Sequence, residues 1–318
     1  PALSSAASPK VGDVSRIERE LSDLGRTRPS NMTLVDAPEV IGMGEHPATA
    51  VRTRKRASIV VATDMVRDGT ADAVVSAGST GATMAAAVFR LGRIPGIDRP
   101  ALPAYMATPT GPVTLLDVGA NVDSDPEHLV QFAKVDADTR TGVIGEETEK
   151  GDDLAREAHA KLAALDLNFV GNIEAHDMIA HHADVVVCDG FVGNVVVKFF
   201  EGITTYIFRA VREDLQQGPI APLALLALKP GFDRLRARFD YERFGGAPLL
   251  GVRGVSIVTH GRAKSRMIEH AIRAGAEASR AGIPDLIAEW TREHPALAHR
   301  GVRSRIAARL HRERAGTP

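Results

Sequence analysis

Four short turns carry the residue types that hold an anion: Gly78-Ser79-Thr80-Gly81, Gly119-Ala-Asn121, Asp189-Gly190-Phe-Val-Gly193-Asn194 and His260-Gly261. Their glycines let backbone N–H groups approach a ligand, and Ser79, Thr80, Asn121 and Asn194 add neutral donors. Each turn is followed by a helical pattern, whose amino terminus attracts negative charge. One such turn merely connects two elements. Four of one design predict a shared anion site at the carboxyl edge of a sheet.

Other chemistry is less well supported. Gly42-Met43-Gly44-Glu45-His46-Pro47 resembles a dinucleotide fingerprint only superficially, because Pro47 stands where the third glycine belongs and Val40-Ile41 is a poor preceding strand. A phosphate loop of the Gly-Lys-Ser or Gly-Lys-Thr type is absent, so ATP is not indicated. Cys188 ends an apolar run and reads as a buried strand-end thiol rather than a nucleophile. His176, His181 and His182 match no zinc spacing and read as a solvent-exposed face, so no metal and no cofactor is expected. His128 lies in the helix opening Asp125-Pro-Glu-His128, and His260, at a strand end, is better placed to reach a crevice.

The 318 residues are nearly half apolar, one quarter charged and net −1, which suits a folded core and gives no global signal for nucleic acid. A single cysteine excludes an internal disulfide framework and fits a reducing compartment. The amino terminus lacks a signal-peptide pattern, and the longest aliphatic stretch noted, Ile220 to Leu228, is far short of the ~20 residues of a spanning helix. A soluble cytoplasmic protein is expected. Because the chain begins with Pro1, its natural start need not be present.

The elements that must position the turns repeat one pattern of aliphatic run, turn and helix. Ala71 to Gly78 leads to a helix over Ala82 to Leu91, Val113 to Val118 to a helix opened by Pro126, and Ala183 to Cys188 to a helix reaching about Arg212. Gly254 to Val258 leads to a helix over Lys264 to Arg280. This succession predicts an α/β fold, a mostly parallel sheet with helices on both faces. Two stretches break the rhythm. Pro219, Pro222 and Pro230 bracket Leu223, Leu225, Leu226 and Leu228, followed by Lys229, Arg234, Arg236 and Arg238; after Gly282 a basic amphipathic tail carries Arg300, Arg303, Arg305, Arg309, Arg312 and Arg314.

The chain resembles the bacterial phosphate acyltransferases of phospholipid synthesis from about Val11 to Ile287. The resemblance rests on Ala71-Asp-Ala-Val-Val-Ser-Ala-Gly-Ser-Thr-Gly-Ala82, Leu91-Gly-Arg-Ile-Pro-Gly-Ile-Asp-Arg-Pro100, Leu116-Asp-Val-Gly-Ala-Asn121, Asp125-Pro-Glu-His-Leu129, Val185-Val-Val-Cys-Asp-Gly-Phe-Val-Gly-Asn194 and Gly245-Gly-Ala-Pro-Leu-Leu-Gly251. It implies a fold like the isocitrate and isopropylmalate dehydrogenases, a homodimer, and transfer of a fatty acyl group from acyl-[acyl-carrier-protein] to inorganic phosphate. The acyl phosphate then feeds a membrane glycerol-3-phosphate acyltransferase. It also implies one α/β domain over 1–282, with a helical projection at 218–241 that touches the membrane periphery, and a separate basic tail over 283–318.

On this resemblance Asn121, Asp189, Asn194, Lys198 and His260 are candidate catalytic residues. Gly78, Ser79, Thr80, Gly81, Gly119, Gly190 and Gly193 are candidate phosphate contacts. Lys198 either adds positive charge or is a solvated helix residue. Leu223, Leu225, Leu226, Lys229, Arg234 and Arg236 either meet the membrane or carrier protein or pack in a dimer. The chain departs from the family by lacking an Asp-Ala-Met-Gly-Gly-Asp loop near its start and by a short connection, Val135 to Thr141. Ser79, His176 and Arg262-Ala263 also replace the usual residues. A catalytically impaired paralogue that binds carrier protein or membrane is therefore the alternative, and a dehydrogenase, lacking its acidic metal cluster and nucleotide site, is the third.

Overall fold

The computed structural model describes residues 8–134, 139–146, 152–216, 221–239 and 244–293, with only the backbone of 221–226. Residues 135–138 of the short connection Val135 to Thr141, and residues 294–318 of the tail expected over 283–318, lie outside the described residues. Two compact units emerge. The first gathers the described residues up to Pro100, Pro248–Ala263 and those from Ala271 on; the second gathers Ala101–Ala247 and Lys264–His270.

The first unit runs β1 (Lys10–Gly12), α1 (Val14–Asp23), β2 (Leu34–Asp36), α2 (Pro47–Thr53), α3 (Ser58–Arg67), β3 (Ala73–Ser76) and α4 (Thr80–Ala86), which continues as a π-helical turn over Ala87–Leu91. The second unit runs β4 (Pro103–Thr108), β5 (Gly111–Leu116), α5 (Pro126–Ala133), β6 (Thr141–Ile144), α6 (Asp153–Ala163), β7 (Phe169–Ile173), α7 (Ala175–Ile179), β8 (Val185–Val187), α8 (Gly190–Leu215) and α9 (Ala221–Arg238). The chain then forms β9 (Ala247–Pro248), β10 (Val255–Val258), α10 (Ser265–Arg280) and α11 (Ile283–Glu293). Each aliphatic run singled out in the sequence is a strand, and each following pattern a helix, within a few residues.

Among the described residues the expected single sheet is instead three: a parallel pair β1-β2, a three-stranded sheet ordered β3-β10-β9, and a five-stranded sheet ordered β4-β5-β8-β6-β7. Pairing is parallel between β3 and β10 and through β5-β8-β6-β7, and antiparallel between β4 and β5. The architecture is mixed α/β and mostly parallel. Because β3 and β10 belong to one sheet and β5 and β8 to another, the four turns fall into two pairs rather than on one edge. Aliphatic runs reveal strands; they do not reveal which strand each one pairs with.

Both units bury apolar side chains around their strands. Val255, Ile257, Ala271 and Ala278 form a core with Ala73, Val75 and Ile283 in the first. Met106, Val113, Leu115, Ile173, Met178, Val186 and Cys188 form one in the second, joined by Val192, Val196 and Phe200 from one side of α8. The other side of α8 is a file of exposed apolar residues, Phe191, Val195, Phe199, Ile203, Tyr206 and Ile207, at helical spacing. By length and composition this helix is apolar enough to cross a membrane. Polar residues interrupt the apolar positions of α8, so in the sequence they do not form one aliphatic run like Ile220 to Leu228.

Candidate active site

In the first unit, β3 and β10 lie side by side in parallel, so their carboxyl ends present two turns together. The Thr259 N–H donates to the Ser76 carbonyl at 2.9 Å, and a Cβ placed on Gly261 would come 3.7 Å from the Ala77 carbonyl oxygen. Ser79 is the N-cap of α4, its Oγ accepting from the Ala82 N–H at 3.3 Å. Gly78 donates its N–H to Ser76 Oγ at 3.3 Å, which closes the turn. The backbone N–H groups of Thr80 and Gly81 and the Thr80 hydroxyl have no partner among the described residues, so the turn keeps unspent donors at a helix amino terminus.

Gly81 is required for a second reason: a Cβ there would lie 2.8 Å from Pro47 Cγ, where α2 packs on α4. That contact brings the Gly42–Pro47 loop, set aside as a nucleotide fingerprint, to this end of the unit. Met43 Cε would likewise sit 3.1 Å from a Cβ on Gly261. The loop is pinned from within, since the Gly42 N–H donates to Glu45 Oε1 at 2.7 Å and Glu45 pairs with Arg54 at 2.6 Å.

His260 is exposed and accepts the Arg262 N–H on Nδ1 at 3.1 Å. Arg262 is exposed on the same turn and makes no side-chain ion pair among the described residues.

In the second unit, β5 and β8 are parallel neighbours and their turns also meet. The Gly119–Asn121 turn folds around Asp117, a wholly buried carboxylate. Asp117 accepts N–H bonds from Gly119 at 3.3 Å, Ala120 at 2.8 Å and Asn121 at 2.8 Å, and from Asn121 Nδ2 at 2.7 Å. Burial pushes its carboxyl pKa up, and these four donors oppose the rise.

Asp189 caps α8, accepting from the Phe191 N–H at 2.8 Å and the Val192 N–H at 3.0 Å. The Gly190 N–H donates to the Asn121 carbonyl at 2.7 Å and the Gly193 N–H to the Asp189 carbonyl at 3.0 Å. All four leading N–H groups of α8 are therefore spent inside the protein.

This corrects the expectation that Gly190 and Gly193 are open for an anion. They are glycines because backbone passes close: a Cβ on Gly190 would meet Asn121 O at 2.7 Å and N at 2.9 Å, and one on Gly193 would meet Cys188 Sγ at 2.8 Å and lie closer still to the Asp117 carbonyl oxygen. Cys188 is wholly buried, its thiol pKa raised by burial, and its Sγ donates to the Asp117 carbonyl at 3.3 Å.

Asn121 is buried with its amide nitrogen committed to Asp117, so it shapes the turn. Asn194 is different. It is exposed, its amide has no partner among the described residues, and its Cβ would stand 4.0 Å from a Cβ on Gly119. Lys198, one turn further along α8, is exposed and pairs with Glu201 at 3.5 Å.

The remaining candidates are scattered. His176 and His182 are exposed and lie by Asp177, at 3.4 and 3.0 Å. His181 is largely buried, contrary to the exposed face expected. Its Nε2 meets Asp184 at 2.9 Å and its Nδ1 meets the Thr108 hydroxyl at 3.2 Å, beside the amino ends of β5 and β8 and away from the turns that follow them. His128 is buried and closes the cap of α5, accepting the Asp125 N–H on Nδ1 at 2.9 Å. Lys229 pairs with Asp233 at 2.6 Å on α9, where Arg234 and Arg236 are exposed. The side chains of Leu223, Leu225 and Leu226 lie outside the described residues.

Residues 9–286 match the family model described as "Fatty acid synthesis protein". The chain is 46% identical over 280 residues to a phosphate acyltransferase of Pelotomaculum thermopropionicum, covering 84% of this chain and 81% of that protein. It is 46% identical over 293 residues to one from Synechococcus sp. strain JA-3-3Ab, covering 87% and 80%. Two solved structures share the fold, a phosphotransacetylase from Streptococcus pyogenes at 19% identity and TM-score 0.52, and the EutD phosphotransacetylase from Staphylococcus aureus at 14% and 0.50, each covering 84% of both chains. With most of its length matched at this identity, the chain belongs to the phosphate acyltransferase family and is an acyltransferase.

Proposed function

We propose that the protein transfers a fatty acyl group from acyl-[acyl-carrier-protein] to inorganic phosphate, making acyl phosphate for phospholipid synthesis. A phosphate oxygen attacks the thioester carbonyl, the C–S bond breaks, and the carrier thiol leaves with a proton. Thioester and acyl phosphate are both activated, so the exchange needs no nucleotide. The protein's task is to hold a multiply charged anion beside the carbonyl and stabilise the developing oxyanion.

The observation that carries this reading is the Gly78–Gly81 turn, whose Thr80 and Gly81 N–H groups stand unspent at a helix amino terminus with His260 and Arg262 on the neighbouring turn. Ser79, Thr80 and Gly81 are assigned to phosphate contacts at the turn of the first unit, and the turns of the second unit, considered by themselves, offer a second pair of candidates, Asn121 and Asn194. Asn194 is the direct donor of the second pair, and Asn121 acts by shaping its turn. Turnover that is unchanged in Asn194→Ala, measured as phosphate-dependent release of free carrier protein, removes that assignment.

The same reading makes the protein a cytoplasmic homodimer of dehydrogenase-like fold that touches the inner face of the cell membrane and hands its product to a membrane glycerol-3-phosphate acyltransferase. The exposed apolar file of α8 supports a covered face, and the exposed arginines of α9 support contact with acidic partners. Replacing Leu225 and Leu226 by Gln tests the membrane contact. Loss of vesicle binding with retained activity on soluble substrate supports it, and unchanged binding removes it.

A further inference from the structure

We propose that Asp117 is a positioning residue for acyl transfer, acting through the Gly119–Asn121 turn rather than by touching substrate; this rests on the proposed reaction. Three observations lead to it. First, Asp117 has φ 71°, a left-handed conformation that is uncommon outside glycine and that aspartate adopts when its side chain hydrogen-bonds locally, as it does here. Second, its carboxylate is wholly buried and turned onto its own loop, where it accepts from three successive backbone N–H groups and from the Asn121 side chain. An anion that sits in such a nest excludes another, so these N–H groups are unavailable to phosphate. Third, the main chain of Asp117 is the surface on which α8 lands. Gly193 packs against its carbonyl group and Gly190 against Asn121.

One residue thus fixes both the turn and the first turn of α8. The exposed side chain set by that junction is Asn194, whose Cβ stands beside Gly119. Asp117 reaches no ligand itself. It determines where the Asn194 amide points, and small displacements of a positioned group are enough to cost about 100-fold in rate.

The test uses the full-length protein. In Asp117→Asn one acceptor oxygen becomes an NH2 group facing N–H donors, so two of the four bonds fail with little change of shape. The expected result, in protein shown to be folded by its circular dichroism and melting transition, is a fall of about 100-fold in kcat/KM for phosphate, with KM for the acyl donor within about twofold of wild type. Asp117→Gly relieves the left-handed backbone but removes the carboxylate, and is expected to be equally impaired. A folded Asp117→Asn or Asp117→Gly with wild-type kcat/KM overturns the proposal.

Hydrogen exchange on the wild-type protein needs no variant to fold. The Ala120 and Asn121 amides, although in a loop, should exchange as slowly as those of β5, and fast exchange there also overturns the proposal. Absence of phosphate-dependent transfer in the wild type would instead remove the proposed reaction, and the exchange result would still decide whether Asp117 holds the turn.

Discussion

Gly193→Ala is the sharpest structural perturbation available in the second unit. A Cβ there would stand 2.8 Å from Cys188 Sγ and closer still to the Asp117 carbonyl oxygen, against 3.4 Å or more for ordinary contact. Neither obstacle is the tip of a flexible side chain: one is backbone, the other a wholly buried thiol. The amino terminus of α8 must therefore back away from Asp117 by about an ångström or more, loosening the Gly190 to Asn121 hydrogen bond as it moves. Overpacking of this kind costs about 3 kcal/mol, and the ~1 kcal/mol by which Ala exceeds Gly inside a helix offsets only part of it.

Gly202 is the control, lying in the same helix with nothing within 4 Å of its would-be Cβ. Gly202→Ala should stabilise by up to about 1 kcal/mol. Urea unfolding of the two variants beside wild type should show a net loss of about 2 kcal/mol for Gly193→Ala and a small gain for Gly202→Ala. A Gly193→Ala protein as stable as wild type, or equal losses in both variants, would refute the packing argument.

Two pH predictions follow from buried or paired charges. Burial pushes the Lys134 pKa down to about 8, below the ~10.4 of an unfolded chain. The unfolded state then binds more protons between these values, so stability should rise as pH goes from about 8 to 10, by on the order of 2–3 kcal/mol if that lysine acts alone, and Lys134→Met should abolish the rise. Asp184 is held well below the usual carboxylate range by its hydrogen bonds to Arg140 first and His181 second. Its contribution is fully present above about pH 4 and is lost as pH falls toward the folded value, so Asp184→Asn should flatten acid unfolding below pH 4; an unchanged acid limb argues against it.

The local grammar was legible in the sequence because the apolar runs of β3, β5, β8 and β10 each stop within a few residues of a Gly or Asp. All four could be placed that way, with the helices that follow them. Pairing partners are a long-range property, so the division of four turns between two sheets was not legible. Nor was the meaning of a glycine. Gly190 and Gly193 read as open to a ligand in the sequence, yet what approaches them is Asn121 and Asp117 of the protein itself.

Asp117 lies inside Leu116-Asp-Val-Gly-Ala-Asn121, where nothing in its residue type sets it apart. Its role depends on a left-handed backbone and on burial, neither of which a residue type announces. The exposed file on α8 had a signal, Phe191, Val195, Phe199 and Ile203 at intervals of four, but the proline-bracketed leucines nearby drew attention away from it.

The most direct measurement is to incubate purified protein with acyl-[acyl-carrier-protein] and inorganic phosphate and follow both free carrier protein and acyl phosphate. The account predicts that both appear in equal amounts and only when phosphate is present. Folded protein that releases no carrier in the presence of phosphate, or releases it equally without phosphate, would contradict it.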